Sequence, residues 1–262
     1  MATMLVYLLT DAPIDKTSMQ TILKRVIDKT FNCISIDSDM STSDTVIAIS
    51  SNNNNNNNNN NNHNAVDEND YIAFENAMFQ VCDRLCEDVV RNGEGVKHVI
   101  KVHVKESTSN EVANGVGKAI VNSPLLKAAI NGNDPNVGRL LSAIGDYLGN
   151  NGIEPSAKMK IEIGDTLIFD NGKFLINQDI EAKLQTLMKD SQMFDSDPDI
   201  ILNETNGGVE QVLYPVPINY PPHQKCVKIN VYLGMENGNK EAIVRGADLT
   251  HEYVTENGDY RS

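Results

Sequence analysis

Met1-Ala2-Thr3-Met4-Leu5-Val6-Tyr7-Leu8-Leu9 admits two readings, and the choice between them governs the rest of the chain. In one, Thr3 begins a strand, because residues 5–9 are a short apolar run of the kind found in a buried strand. In the other, Thr3 is a nucleophile. A threonine hydroxyl attacks poorly at neutral pH, and well when its own α-amine is free to take the hydroxyl proton. That amine is freed if the Ala2–Thr3 bond is cut, and the Thr3 hydroxyl could start the cut by attacking the Ala2 carbonyl. Ala2 is small enough to leave room. For these residues alone the strand reading is the commoner one, so the decision rests on the segments downstream.

The sequence has 262 residues, enough for one large domain or two small ones with a sizeable core. Its net charge of −14 argues against nucleic acid or an anionic membrane as partner, since both select basic surfaces. No apolar run approaches membrane-spanning length, and no secretory or transit segment is legible before the first strand. Cys33, Cys82, Cys86 and Cys226 have no zinc spacing, and Cys82 and Cys86 lie one helical turn apart in an apolar face. They read as buried, reduced thiols in a reducing compartment, with no metal site.

Strand and helix patterns follow one another without a regular strand–helix–strand rhythm, which points to an α+β fold. Thr17 or Ser18 is placed to cap a first helix with Ile22, Leu23, Val26 and Ile27 on one face. Residues 33–36 and 45–49 read as short strands. Asp70 is the expected cap of a long helix whose buried stripe is Phe74, Met78, Val81, Leu85 and Val89, ended by Gly93. A strand covers 99–104. Leu125, Leu126, Ala129 and Ile130 continue a helix until Gly132-Asn133-Asp134-Pro135 breaks it, and Val137, Leu140, Leu141 and Ile144 make another. Residues 159–163 and 227–231 alternate as strands, and 248–254 is a short helix. Between them, 189–224 is acidic and then Pro-rich, an expected surface insertion.

Three stretches imitate ligand loops. The acidic run 37–45 begins like a calcium loop, but Thr42 stands where glycine is needed and Ala48 where glutamate is needed. Its plain reading is a polar turn whose side chains bond their own backbone. Ala113-Asn114-Gly115-Val116-Gly117-Lys118 is no phosphate loop, because Val112 and Ala119 occupy the diagnostic glycine and hydroxyl positions. Gly93-Glu94-Gly95 puts a carboxylate between two glycines at a helix-to-strand junction. Such an acid can face a cavity, although a solvated turn is the commoner outcome. The unbroken Asn tract 52–62, followed by His63-Asn64, buries nothing and is expected to be a disordered loop.

Several of these blocks gain meaning together. They are Met1-Ala2-Thr3-Met4-Leu5 with Thr10-Asp11; the turn 37–45; Gly93-Glu94-Gly95; and Ser123-Pro124-Leu125-Leu126-Lys127-Ala128-Ala129-Ile130 with Gly132, Asp134, Asn136, Gly138 and Arg139. The last is Gly246-Ala247-Asp248-Leu249-Thr250 through Tyr253-Val254 to Asn257 and Asp259-Tyr260-Arg261-Ser262. In this order they resemble the ornithine acetyltransferases of arginine biosynthesis, also called bifunctional glutamate N-acetyltransferases. The resemblance spans nearly the whole chain and covers the second half of that family's precursor. Val137 departs from a usual Trp and His98 from a usual Lys, and the Asn tract and 189–224 look inserted.

The resemblance implies a layered α/β fold shared with N-terminal-nucleophile aminopeptidases. Residues 1–262 would be its β-chain half, with the insertions at 52–64 and 189–224. It implies Ala2–Thr3 as the cleavage site, Thr3 as nucleophile, and Thr3, Glu94, Asn257 and Ser262 as substrate-binding residues. The implied reaction moves acetyl from N2-acetyl-L-ornithine to L-glutamate through an acetyl-threonine. Acetyl-CoA is a further donor that family members can use, and no cofactor or metal is needed. The implied partner is an α chain, the precursor's first half, which carries the oxyanion donors in an α2β2 heterotetramer. The small molecules are acetylornithine, ornithine and glutamate, with neither nucleic acid nor membrane, and the implied location is the mitochondrial matrix. Two alternatives stay open: an N-terminal-nucleophile aminopeptidase of related fold, and an inactive, unprocessed half without its α chain. Deleting 52–64 should leave transfer activity nearly unchanged, because a loop that buries nothing contributes no packing. Loss of transfer with the fold intact would show that the tract does more.

Overall fold

The structure, a computed structural model, describes residues 3–51, 67–193 and 222–259. Its longest element is α2 (Glu68–Arg91), whose 24 residues rise about 36 Å. One half of α2 supports a small layer and the other half crosses a large sheet.

The small layer is a parallel pair, β1 (Leu5–Thr10) and β3 (Thr45–Ser50), in register from Leu5↔Thr45 to Thr10↔Ser50. Val6, Leu8, Val46 and Ala48 pack on α1 (Lys16–Ile27) and α2, against Met19, Ile22, Val26, Met78, Cys82 and Cys86. Leu5, Tyr7, Leu9, Ile47 and Ile49 are exposed on the alternate positions. The opening run is therefore a strand, but a half-buried one rather than the buried strand its composition suggests.

The large sheet has the order β2-β9-β4-β8-β5-β6-β7. These strands are β2 (Ile34–Ser35), β4 (Val99–Ser107), β5 (Lys160–Ile163), β6 (Thr166–Asp170), β7 (Lys173–Phe174), β8 (Val227–Tyr232) and β9 (Lys240–Ala247). β2 runs parallel to β9 and β4 to β8, while the other neighbours are antiparallel. The main core joins Ile100, Val102, Val104, Ile161 and Ile229 to α3 (Asn110–Asn122), α4 (Pro124–Asn131), α5 (Val137–Asn150) and α6 (Gln178–Asp190). Gly117 is what lets α3 lie this close to β9, since a Cβ there would come within 2.5 Å of Val244 Cγ2.

Where α2 meets the sheet, the contact is ionic. Glu87 Oε1 accepts from Lys101 Nζ at 2.7 Å and from Arg245 Nε at 2.8 Å, and Arg245 Nη2 reaches Asp83 at 2.6 Å. Burial pushes the Glu87 carboxyl up, but the bonds from Lys101 and Arg245 outweigh it and hold the group below the usual glutamate value.

Several local expectations are corrected. Asp15, not Thr17 or Ser18, caps α1, its carboxylate accepting from both their N–H groups. Asp67 caps α2, and Asp70 is the reciprocal partner in a capping box. Met78 is buried and Phe74, Leu85 and Val89 pack on the core as expected, but Val81 is exposed, and Cys82, Cys86 and Val90 are buried beside the stripe. Residues 124–131 do not continue α3, because Ser123 ends it and caps the separate α4. The strand expected at 33–36 shrinks to β2, after a 3-10 turn at Phe31–Cys33. The short C-terminal helix is α7 (His251–Asp259). The Asn tract and residues 194–221 of the expected surface insertion lie outside the described residues, and 189–190 complete α6. Among the described residues no helix is long and apolar enough to cross a membrane.

Candidate active site

Thr3 is exposed, two residues before β1 begins. The parallel register brings the start of β3 alongside: Thr45 N donates to Met4 O at 2.9 Å, and Met4 N donates to Asp44 Oδ1 at 2.9 Å. The residue after Thr3 is thus fastened to the end of the acidic turn. Ser43 N donates to Ser41 Oγ at 3.2 Å, and Thr45 Oγ1 to Ser43 O at 3.2 Å, which stiffens that end. The turn bonds its own backbone as expected, and Asp44 adds a bond across to the chain beside Thr3.

The other end of the turn starts at Ile36, which lies against the Gly93-Glu94-Gly95 loop: a Cβ at Gly93 would come 3.6 Å from Ile36 Cγ2. Gly95 has φ +62, and a Cβ there would lie 2.5 Å from Tyr253 N, so only glycine fits so close to α7. Thr250 Oγ1 donates to Gly95 O at 2.8 Å and accepts from Tyr253 N at 3.0 Å, so one hydroxyl anchors the loop and caps the helix. Glu94 is half-buried. The Tyr253 hydroxyl is pushed up by burial and then by the negative charges of Asp37, Glu94 and Asp39. Tyr253 therefore feels the charge of carboxylates from two distant segments. One turn further along α7, half-buried Asn257 donates Nδ2 to Tyr253 O at 2.9 Å.

Below this patch lies a buried pair. Asp248 Oδ1 accepts from the backbone N–H of Lys97 and of His98, each at 3.1 Å, and its Oδ2 meets His98 Nδ1 at 2.8 Å. His98 Nε2 lies 3.2 Å from both Met188 O and Asn133 Oδ1. Both ring nitrogens face oxygens, which fixes the orientation of the ring. His98 thus stands in the core, holding the Gly95 loop to the β9–α7 link.

The structure brings Glu94 and Asn257 to one region, and the acidic turn connects that region to Thr3. Ala2 and Ser262 lie outside the described residues. Tyr253, Asp37, Thr250 and Asp248 have site-building roles that their quotation as motif letters did not reveal. The one signal available was a Thr three residues before Tyr253, the spacing of a helix cap. The cysteines are poor rivals to Thr3 as nucleophiles. Burial pushes the Cys82 thiol up to about 11 and those of Cys33, Cys86 and Cys226 in the same direction. Two clefts of about 1020 and 1060 Å³ lie elsewhere, one between α1 and α3 and one beside the β8–β9 connection, and neither is lined by Thr3, Glu94 or Asn257. The carbonyl and carboxylate geometry of the patch, not cavity size, is what marks the site.

The ArgJ family model matches residues 1–262. The chain belongs to the ArgJ family. A glutamate N-acetyltransferase of Methanocaldococcus jannaschii is 32% identical over 99% of this chain and 54% of its own length. A mitochondrial arginine biosynthesis bifunctional protein ArgJ of Verticillium alfalfae is 32% identical over 100% of this chain and 50% of its own. The crystal structure of the bifunctional protein argJ from Bacillus halodurans superimposes with a TM-score of 0.73 at 29% identity, covering 98% of this chain and 100% of that one. The layered α+β architecture is thus that of a solved family member. The chain spans about half the length of the curated relatives it matches.

Proposed function

We propose that this chain is the nucleophile-bearing half of an acetyltransferase of arginine biosynthesis, moving acetyl from N2-acetyl-L-ornithine to L-glutamate. The observation that carries the reading is the acidic turn, which ties the chain beside Thr3 at one end and reaches the Glu94–Tyr253 patch at the other. A nucleophile's position and a cation-attracting surface are thereby set by one segment. The relatives' names, glutamate N-acetyltransferase and arginine biosynthesis bifunctional protein, agree with it.

In this reading the Thr3 hydroxyl first attacks the Ala2 carbonyl, and water then opens the resulting ester, leaving Thr3 with a free amine. That amine takes the hydroxyl proton as Oγ attacks the acetyl carbonyl of acetylornithine. When the tetrahedral species collapses, the Thr3 ammonium returns the proton to the departing ornithine nitrogen, and acetyl remains on Oγ as an ester. The glutamate amine then attacks the ester, and Thr3 Oγ leaves with a proton. One amide is exchanged for another of similar stability, so the reaction is nearly balanced. Glu94 pairs with a substrate ammonium, and Asn257 offers a donor and an acceptor to an amino acid's α-groups. Ser262 adds a hydroxyl. Acetyl-CoA serves as a second acetyl donor.

The α chain supplies the oxyanion donors and completes an α2β2 assembly. Its place is suggested by β1 and β3. A parallel pair normally has both faces covered, yet Leu5, Tyr7 and Leu9 are 57%, 59% and 75% exposed here, beside Ile47 and Ile49. The half of the relatives that this chain does not span is the occupant proposed for that face. The location proposed is the mitochondrial matrix, and the Verticillium relative's name agrees as far as the mitochondrion.

The test is to assemble the chain with its upstream half and follow acetyl from labelled acetylornithine. Acetylglutamate as product supports the reading. Acetate released at the same rate with or without glutamate would mean a hydrolase instead. Removing 260–262 should raise the KM for glutamate and acetylornithine by about tenfold per lost charged bond, while leaving cleavage before Thr3 intact. Unchanged KM values would take Ser262 out of the site.

A further inference from the structure

Lys127 is a buried ammonium that no step of the mechanism uses. Such a group is costly unless oxygens hold it. Burial lowers its pKa from the usual lysine value, and Asp248 and Asp37 pull the other way. Its bonds reach two parts of the site from beneath. Nζ donates to Ile36 O at 2.7 Å, just where the acidic turn leaves β2. Its own backbone carbonyl accepts from Leu249 N at 3.4 Å, in the link from β9 to α7. Asp248, the neighbour of Leu249, carries the bonds to Lys97 and His98 that hold the Gly95 loop. One residue of α4 therefore ties together the turn that fastens the chain beside Thr3 and the link that carries Tyr253 and Asn257. Its charge is set against a carboxylate on each. An apolar side chain of the same length would leave Ile36 O unpaired and both carboxylates without this counter-charge.

We propose that Lys127 is a positioning residue for the Thr3–Glu94 site, fixing the acidic turn and α7 relative to one another without touching substrate. Its kinetic consequence rests on the acetyltransferase reading above, whereas its structural consequence rests on geometry alone, so the experiment has two arms. Lys127→Met and Lys127→Arg are prepared in the chain assembled with its upstream half. Amide hydrogen exchange is read over 36–44 and 248–257, with α5 and β8 as internal references. In Lys127→Met, exchange in those two segments should quicken about tenfold while α5 and β8 stay unchanged. The KM for acetylornithine and glutamate should rise about tenfold and kcat should move less than about threefold. Lys127→Arg, which keeps the charge, should restore both readouts to within about threefold of the parent.

Exchange unchanged in both segments would overturn the proposal. So would exchange rising equally in α5 and β8 with no split between KM and kcat, the pattern of a merely structural lysine. A parent protein without acetyl transfer would sink the proposed function, and the exchange arm would still decide the role of Lys127.

Discussion

Replacing Thr3 by alanine should abolish acetyl transfer, lowering the rate by at least about a thousandfold, because the reaction loses the atom on which the acetyl group is carried. The same change should stop the cut before Thr3, since the attacking oxygen is missing there too. Thr3→Ser should retain part of both, because serine keeps a hydroxyl beside an α-amine. The fold should survive each change. Thr3 is exposed, and Met4, not Thr3, makes the bonds to Thr45 and Asp44. Initial rates of acetyl exchange, with the mass of the N-terminal peptide, read both effects. A Thr3→Ala protein that still transfers acetyl within tenfold of the parent would put the nucleophile elsewhere.

Glu87→Ala should destabilise the protein by about 3–5 kcal/mol, the usual cost of removing one member of a buried ion pair. Glu87 is 2% exposed and lies against Arg245, itself 0% exposed, with Lys101 and Arg91 nearby. Deleting the carboxylate leaves Asp83 as the remaining acid bonded to Arg245. Buried Arg91 would lose its carboxylate partner and Arg245 one of its two, where α2 crosses β4 and β9. The effect should appear as a lower denaturant midpoint with the slope unchanged. A loss below about 1 kcal/mol would mean that this cluster is hydrated and contributes as surface pairs do.

The periodic elements were legible from sequence. Strands such as 227–231 and helices such as 137–150 follow from local patterning, which depends on the chain's own geometry. What escaped was decided by phase or by partners far away in sequence. In α2 the buried face widens beyond the expected stripe because its C-terminal half answers to the sheet, through Val90 against Val99 and Glu87 against Arg245. In β1 the composition of 5–9 indicates apolar character, but which residues meet a core depends on what lies on each face. The caps were missed because Asp15 and Asp67 each stand two or three residues ahead of the residue first chosen, where composition favours both positions equally.

The site was legible in part. Thr3, Glu94 and Asn257 entered through the resemblance, since each alone is an unremarkable polar residue. The segments that carry Asp37 and Tyr253 could not be placed together from sequence, because 216 positions separate the two residues and only the pairing of β2 with β9 brings their segments close. Lys127 stands in the 123–130 block with nothing to mark it; its partner is the Ile36 carbonyl, a backbone group that carries no side-chain signal.

Thr3, as an N-terminal residue, is proposed to carry the acetyl group. Mass spectrometry tests it most directly, on the active protein mixed with acetylornithine and quenched in acid before glutamate is added. The expected result is a peptide beginning at Thr3 and heavier by one acetyl group, which hydroxylamine removes and glutamate discharges. An active protein whose chain still begins at Met1 or Ala2, or one that transfers acetyl while Thr3 remains unmodified, would contradict it.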